Sequence, residues 1–210
     1  MKSTIIILTV ALLFGCNTSK MERDIGLPYY NESTLTPVWE GKASGFHVVP
    51  DFSFVDQKGK IVTDVHFKGK IYLANFFFTT CPGICPIMTD NLHAIQDTFS
   101  NDPDVLLLSH TVMPWVDDVN QLAEYAKNKD ILYEKWKLVT GPKNELYDVA
   151  RNGYFADEGF GKSVTKETDF LHTENVFLID QDGHIRGVYN GTKRLEMQRI
   201  VEDVKALKAS

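Results

Sequence analysis

The stretch Ile71-Tyr72-Leu73-Ala74-Asn75-Phe76-Phe77-Phe78-Thr79-Thr80-Cys81-Pro82-Gly83-Ile84-Cys85-Pro86-Ile87-Met88 decides the fold. Its first eight residues are nearly all apolar, which predicts a strand buried on both faces. After the cysteines, Ile84, Met88, Leu92, Ile95 and Phe99 recur at helical spacing. Pro82 and Pro86 limit how far that helix extends backwards, because proline is tolerated only in a first turn. Cys81 is therefore expected at the mouth of the loop and Cys85 about where the helix begins. If the turn is helix-like, a separation of four places both sulfurs on one face, roughly 40° apart. The partial positive charge of a helix start favours thiolate over thiol.

Working outward, Phe52–Val55 and Lys60–Thr63 alternate about a glycine turn and predict a β-hairpin ahead of the buried strand. Val105–Leu108 reads as a second buried strand, and Asp117–Asn128 as a helix with acidic residues at its start. Trp136–Thr140 predicts a short strand, Asn144–Arg151 a helix, and Asn152 to about Phe170 an irregular stretch. Val176–Asp180 and His184–Tyr189 flank the turn Gln181-Asp182-Gly183 as a second hairpin, and Arg194–Leu207 closes as an amphipathic helix. There is no internal repeat. Strands alternating with helices describe an α/β fold, with a mixed central sheet flanked by helices and an N-terminal β-hairpin. A buried strand leading into a cysteine pair at a helix start is a thioredoxin-like arrangement.

The N-terminus is a targeting segment. Lys2 precedes the apolar run Ile5–Phe14, whose helix would rise only about 15 Å, half of a hydrocarbon core. It reads as a signal peptide over residues 1–15. Leu13-Phe14-Gly15-Cys16 resembles a bacterial lipoprotein box, which implies that Cys16 is acylated and that the chain faces the periplasm or cell exterior from a membrane. Residues 16–44 read as a tether, with Tyr29, Tyr30 and Trp39 packing on the surface of a domain over 45–210. With 43% hydrophobic and 24% charged residues the chain has an ordinary globular composition. A net charge of −6 gives no support to nucleic-acid binding, which needs a basic face.

Of three cysteines, lipidation leaves Cys81 and Cys85. Two close thiols serve dithiol–disulfide chemistry or soft-metal binding, and thiolates with an added imidazole suit copper. Structural zinc usually needs four ligands, and no second cysteine pair exists. A four-residue loop is also a poor structural staple. Six histidines could supply a third ligand. His93 is predicted on the surface, about 120° from Cys81 on the helical wheel. His184 is predicted on a hairpin surface, and His47 and His66 in loops. His110 ends the Val105–Leu108 strand, whose carboxyl end should face the site, and His172 directly precedes the Val176–Asp180 strand. Position alone leaves the choice open.

Phe78-Thr79-Thr80-Cys81-Pro82-Gly83-Ile84-Cys85-Pro86-Ile87-Met88-Thr89 and Leu171-His172-Thr173-Glu174-Asn175-Val176-Phe177-Leu178-Ile179-Asp180 resemble the cysteine and histidine motifs of the SCO (SenC/PrrC) family. The resemblance covers about residues 45–207. It implies a thioredoxin-like fold and one copper, Cu(I) or Cu(II), held by Cys81, Cys85 and His172. It also implies delivery of that copper to the CuA-bearing subunit of cytochrome c oxidase, with an upstream copper donor and a thiol reductant as further partners. The alternative is a thiol–disulfide oxidoreductase that reduces the client's cysteines through Cys81 and Cys85. Two departures bear on the partner-facing surface. Gly83 stands where many relatives have an acidic residue, and Ser109–Trp115 stands where many have an acidic D-P-x-x-D stretch.

Overall fold

The computed structural model describes residues 26–39, 45–156 and 173–209. Both Cys16 and His172 lie outside the described residues, as do most of the signal-peptide, tether and irregular segments named above.

Three parallel strands form the middle of the main sheet: β5 (Ile71–Phe77), β6 (Val105–Thr111) and β7 (Trp136–Thr140). The expected hairpins flank them. β3 (Ser53–Asp56) and β4 (Ile61–Thr63) pair antiparallel, and β3 adds antiparallel to β7. On the other side β8 (Asn175–Ile179) runs antiparallel to β5 and is followed by β9 (Ile185–Asn190). The order is β4-β3-β7-β6-β5-β8-β9, a mixed sheet of seven strands. All seven β5 residues are buried, as the unbroken apolar run requires of a strand with neighbours on both edges and layers on both faces.

One face carries α1 (Ile84–Thr98), α2 (Val119–Asn128) and α4 (Arg194–Ala209). Met88, Leu92 and Ile95 of α1 and Met197, Ile200 and Val204 of α4 fill the interior beneath them. Under α1, Trp136 donates its indole N–H to Ser109 (2.7 Å), which donates to Asn75 (2.5 Å). The opposite face is covered by α3 (Lys143–Asp148) running into a π-helical turn at Val149–Gly153. The helix expected over Asn144–Arg151 is thus α-helical only in its first half. Tyr154, at the end of the wide turn, is fully buried and its hydroxyl meets that of Tyr72 at 3.2 Å.

A further small hairpin, β1 (Tyr29–Tyr30) with β2 (Pro37–Val38), lies against β9. Arg186 fastens it. Its guanidinium donates to the carbonyls of Leu27 (2.6 Å) and Pro28 (3.0 Å) and to Asp180 (3.0 Å), and sits 3.8 Å above the Tyr29 ring.

Three histidine expectations are corrected. His184 is buried, and its Nδ1–H donates to the His47 carbonyl at 2.8 Å because the β1 hairpin covers the turn. His93 is half-buried rather than on the surface, its ring edge-on to Trp136 at 5.6 Å. His110 lies inside β6, since that strand runs on to Thr111. Alternation turns its ring away from α1 into a cage of Phe52, Phe54, Phe76 and Tyr154.

Candidate functional site

β5 delivers the chain to the carboxyl edge of the sheet, where Phe78-Thr79-Thr80 turns toward α1. Gly83 precedes the helix and Cys85 is its second residue, so Pro86 falls in the first turn, where its missing N–H leaves no hydrogen bond unmade. Cys81 stands ahead of the helix. The expected helical relation between the two sulfurs is replaced by a loop that folds Cys81 back over the helix start.

The two thiols meet there in different surroundings. Burial alone would raise the Cys81 pKa, but backbone N–H groups of Cys85, Gly83 and Ile84 and the Cys85 thiol all bond its sulfur. The net effect holds Cys81 below the ordinary thiol value, as a helix start should. Cys85 is buried under the loop, and burial pushes its thiol up to about 12 despite the Phe78 N–H on its sulfur. The neighbouring Cys81 and Asp117 add to that rise. Cys81 is therefore the outer, more acidic sulfur and Cys85 the inner, protonated one. Both are free thiols.

Asp117 was not singled out by the sequence. Both Asp117 and Asp118 read as helix-start acids, but their roles split. Asp118 caps α2, accepting the Gln121 N–H at 2.8 Å. Asp117 is completely buried and clasps the cysteine loop: it accepts the Thr79 N–H (3.2 Å), the Thr79 hydroxyl (2.5 Å) and the Thr111 hydroxyl. Gln121 adds a bond to the Thr79 hydroxyl at 3.1 Å. Burial raises the Asp117 pKa, and the threonine bonds partly restore the carboxylate. Two adjacent aspartates where a cap needs one were the available signal. Met113-Pro114-Trp115-Val116-Asp117 also keeps the proline and final acid of the D-P-x-x-D pattern, so Met113 for the first acid is the narrower departure.

Tyr125 of α2 closes the other side, sharing a 2.9 Å hydrogen bond with Thr89 and packing on Phe77. Burial lifts its pKa to about 12, so its hydroxyl stays neutral beside the thiols. Among the described residues no third His, Cys, Asp or Glu joins the pair in a cluster that could hold a metal. The chain resumes at Thr173, next to β8, whose Val176 pairs with Asn75 near the carboxyl end of β5.

Comparison with known proteins identifies this arrangement. The SCO1/SenC family model matches residues 40–209. The SCO1 protein homolog of Bacillus subtilis (strain 168) is 32% identical over 162 residues, covering 75% of this chain and 81% of that one. A SCO1/SenC family lipoprotein from Bacillus anthracis superposes with a TM-score of 0.67 at 26% identity, covering 77% of this chain and 95% of the other. BsSco, described as a Sco family cytochrome c oxidase assembly protein with a disulfide switch, matches with a TM-score of 0.63 at 30% identity over 77% and 93% of the two chains. ScoI of Arabidopsis thaliana with copper bound matches with a TM-score of 0.60 at 27% identity over 78% and 99%. The mixed sheet and its helices are thus the thioredoxin-like fold that the cysteine segment predicts. On the family match and the Bacillus subtilis relative, this chain belongs to the SCO1/SenC family.

Proposed function

We propose that this chain binds one copper ion through Cys81, Cys85 and His172 and passes it on in the assembly of the CuA centre of cytochrome c oxidase. The observation that carries this is the cysteine pair itself: two reduced sulfurs in contact at a helix start, one held toward thiolate. Soft thiolates favour Cu(I), and an imidazole extends the site to Cu(II). Support for His172 comes from its neighbour Thr173, two residues ahead of β8, whose Val176 pairs with Asn75 near the carboxyl end of β5. The relatives with copper bound and with a role in oxidase assembly support the same reading. The CuA-bearing subunit, an upstream copper donor and a thiol reductant are its partners. Acylated Cys16 holds residues 45–210 to a membrane through residues 16–44, after removal of residues 1–15, facing the periplasm or exterior. The lipoprotein relative supports this, and no described helix is long and apolar enough to cross a membrane.

The test is anaerobic copper titration of the reduced chain carrying Cys16→Ser. One copper per chain is expected, lost in Cys81→Ser, with proton release on binding and weaker binding in acid because the ligands must be deprotonated. His172→Ala should weaken Cu(II) more than Cu(I) and change the Cu(II) spectrum. An unchanged Cu(II) spectrum removes His172 from the site. Absence of tight copper binding leaves thiol–disulfide exchange with the client's cysteines as the function.

A further inference from the structure

The end of the sheet opposite the cysteines gathers lysines. Lys58 and Lys60 lie in and just after the β3–β4 turn, Lys70 precedes β5, and Lys135 and Lys137 lie at the start of β7. The Tyr133 ring holds three ammonium groups at once: Lys137 at 3.1 Å from its centroid, Lys58 at 3.5 Å and Lys60 at 5.7 Å. Among the described residues none of these three forms an ion pair. Like charges brought this close repel, and the ring's negative face offsets only part of that. Beside them a cleft of about 610 Å³ is lined by His66, Lys70, Asn101, Glu134, Lys135 and Lys137. Lys135 is itself buried, donating to the carbonyls of Asp102 and Val105.

Most nearby carboxylates are already engaged. Asp56 accepts the Tyr133 hydroxyl at 2.7 Å and two backbone N–H groups, Asp102 pairs with Lys208, and Asp64 with Lys68. Glu134 and Asp104 remain, with Asp182 on the Asp180–Gly183 turn. In a chain with a net charge of −6, this is a local concentration of uncommitted positive charge.

The N-terminal chain enters the fold at the same end. Leu27 and Pro28 are held by Arg186 at the start of β9. The preceding Asp180–Gly183 turn meets the start of β5, since the Gln181 carbonyl accepts the Gly69 N–H and Ile179 pairs with Tyr72. From Cys16 to Leu27 is a step of 11 residues, a reach of at most about 38 Å and about 18 Å as a flexible chain. The lysine end is thus the end that an anchor at Cys16 would draw toward the bilayer.

We infer that the lysine-bearing end of the sheet docks on the anionic headgroup surface of the membrane and holds Cys81 facing away from it. This rests on the reading of Cys16 as a lipid site. Each lysine brought to an anionic surface strengthens attraction about fivefold. The seven residues of β5 separate the two ends by about 23 Å. The docked orientation keeps the cysteine pair clear of the headgroups, where a client domain can reach it.

The full acylated chain, labelled at Cys81 with a fluorescent maleimide, is reconstituted in vesicles with an acceptor dye on the headgroups. Energy transfer is expected to be lower with about 30 mol% phosphatidylglycerol than with phosphatidylcholine alone. It should return to the phosphatidylcholine level in about 0.5 M NaCl and in the Lys58→Gln/Lys60→Gln/Lys137→Gln variant. Equal transfer in both lipids, or higher transfer with phosphatidylglycerol, overturns the proposal; the lipid and salt comparisons need no variant. A carbonate wash separates the two claims. If it strips the chain, the Cys16 reading has failed, and docking is then judged by cosedimentation with the same vesicles. Salt-sensitive preference for phosphatidylglycerol supports docking, and none refutes it.

Discussion

Cys81 and Cys85 meet at the start of α1, yet their surroundings push their acidities apart, and reactivity should follow. Thiolate is the nucleophile, so with Cys81 lowered and Cys85 raised to about 12, mild alkylation near neutral pH should modify Cys81 first. Cys81→Ser removes the share of that rise due to Cys81 but leaves the burial, so the remaining thiol should still react more slowly than Cys81 does. Mass mapping of the modified chain against pH checks both, and equal labelling of the two would contradict the assignment. His110 makes the opposite kind of statement. Its ring is fully buried with neither nitrogen hydrogen-bonded, and burial lowers its pKa to about 3. A depressed imidazole contributes stability that is complete above the unfolded value of 6.5 and is lost as pH falls toward 3. His110→Phe should therefore flatten the acid side of the stability profile over that window. Removing two unpartnered nitrogens should also raise stability by about 1–3 kcal/mol, read by urea unfolding at several pH values. The cysteines were legible from the chain because apolar run, prolines and helical spacing converge on them. His110 was misplaced because its strand runs three residues past its apolar stretch, through Ser109, His110 and Thr111. Pairing with β7 carries it through His110 and pairing with β5 through Thr111.

At the scale of elements, the cysteine loop is held from outside itself. Asp117 reaches it from the connection between β6 and α2, satisfying one backbone and two hydroxyl donors. Asp117→Ala strands those donors in a buried place and should lower stability by about 3 kcal/mol; Asp117→Asn keeps one acceptor and should lose less. Urea midpoints for the pair test this, and identical losses would mean that the clasp contributes nothing specific. The approach of α1 to β8 has a similar dependence on one position. A Cβ on Gly191 would lie 2.8 Å from Val176 and 3.0 Å from Met88. Gly191→Ala should cost about 1–3 kcal/mol, visible as a lowered Tm, because Val176 is fully buried and cannot yield. Strand and helix positions were largely readable from periodicity. The π-helical turn was not: it leads into Tyr154, whose meeting with the Tyr72 hydroxyl is a tertiary contact that periodicity does not carry.

For the whole molecule, the order of strands explains what could and could not be foreseen. Alternating strands and helices announce a mixed sheet, and the two hairpins that flank its parallel strands are each marked by a glycine turn, at Gly59 and Gly183. Nothing local announces that β8 inserts beside β5, a hundred residues away in sequence. Nor does periodicity show that the residues around Tyr29 pack on β9, because that contact depends on Arg186. The placement of β8 also bears on biogenesis. Every chain is synthesised N-terminus first, so β5 and both cysteines are produced long before the strand that completes their sheet. Until residues 175–179 arrive, β5 has β6 on one side and an open edge on the other, directly below two thiols. Ribosome- or translocon-stalled chains ending before Asn175 should therefore be the ones most prone to wrong disulfides and edge-to-edge association. Cell-free synthesis of chains truncated at residues 172 and 209, compared for mixed disulfides, would reveal this window of vulnerability.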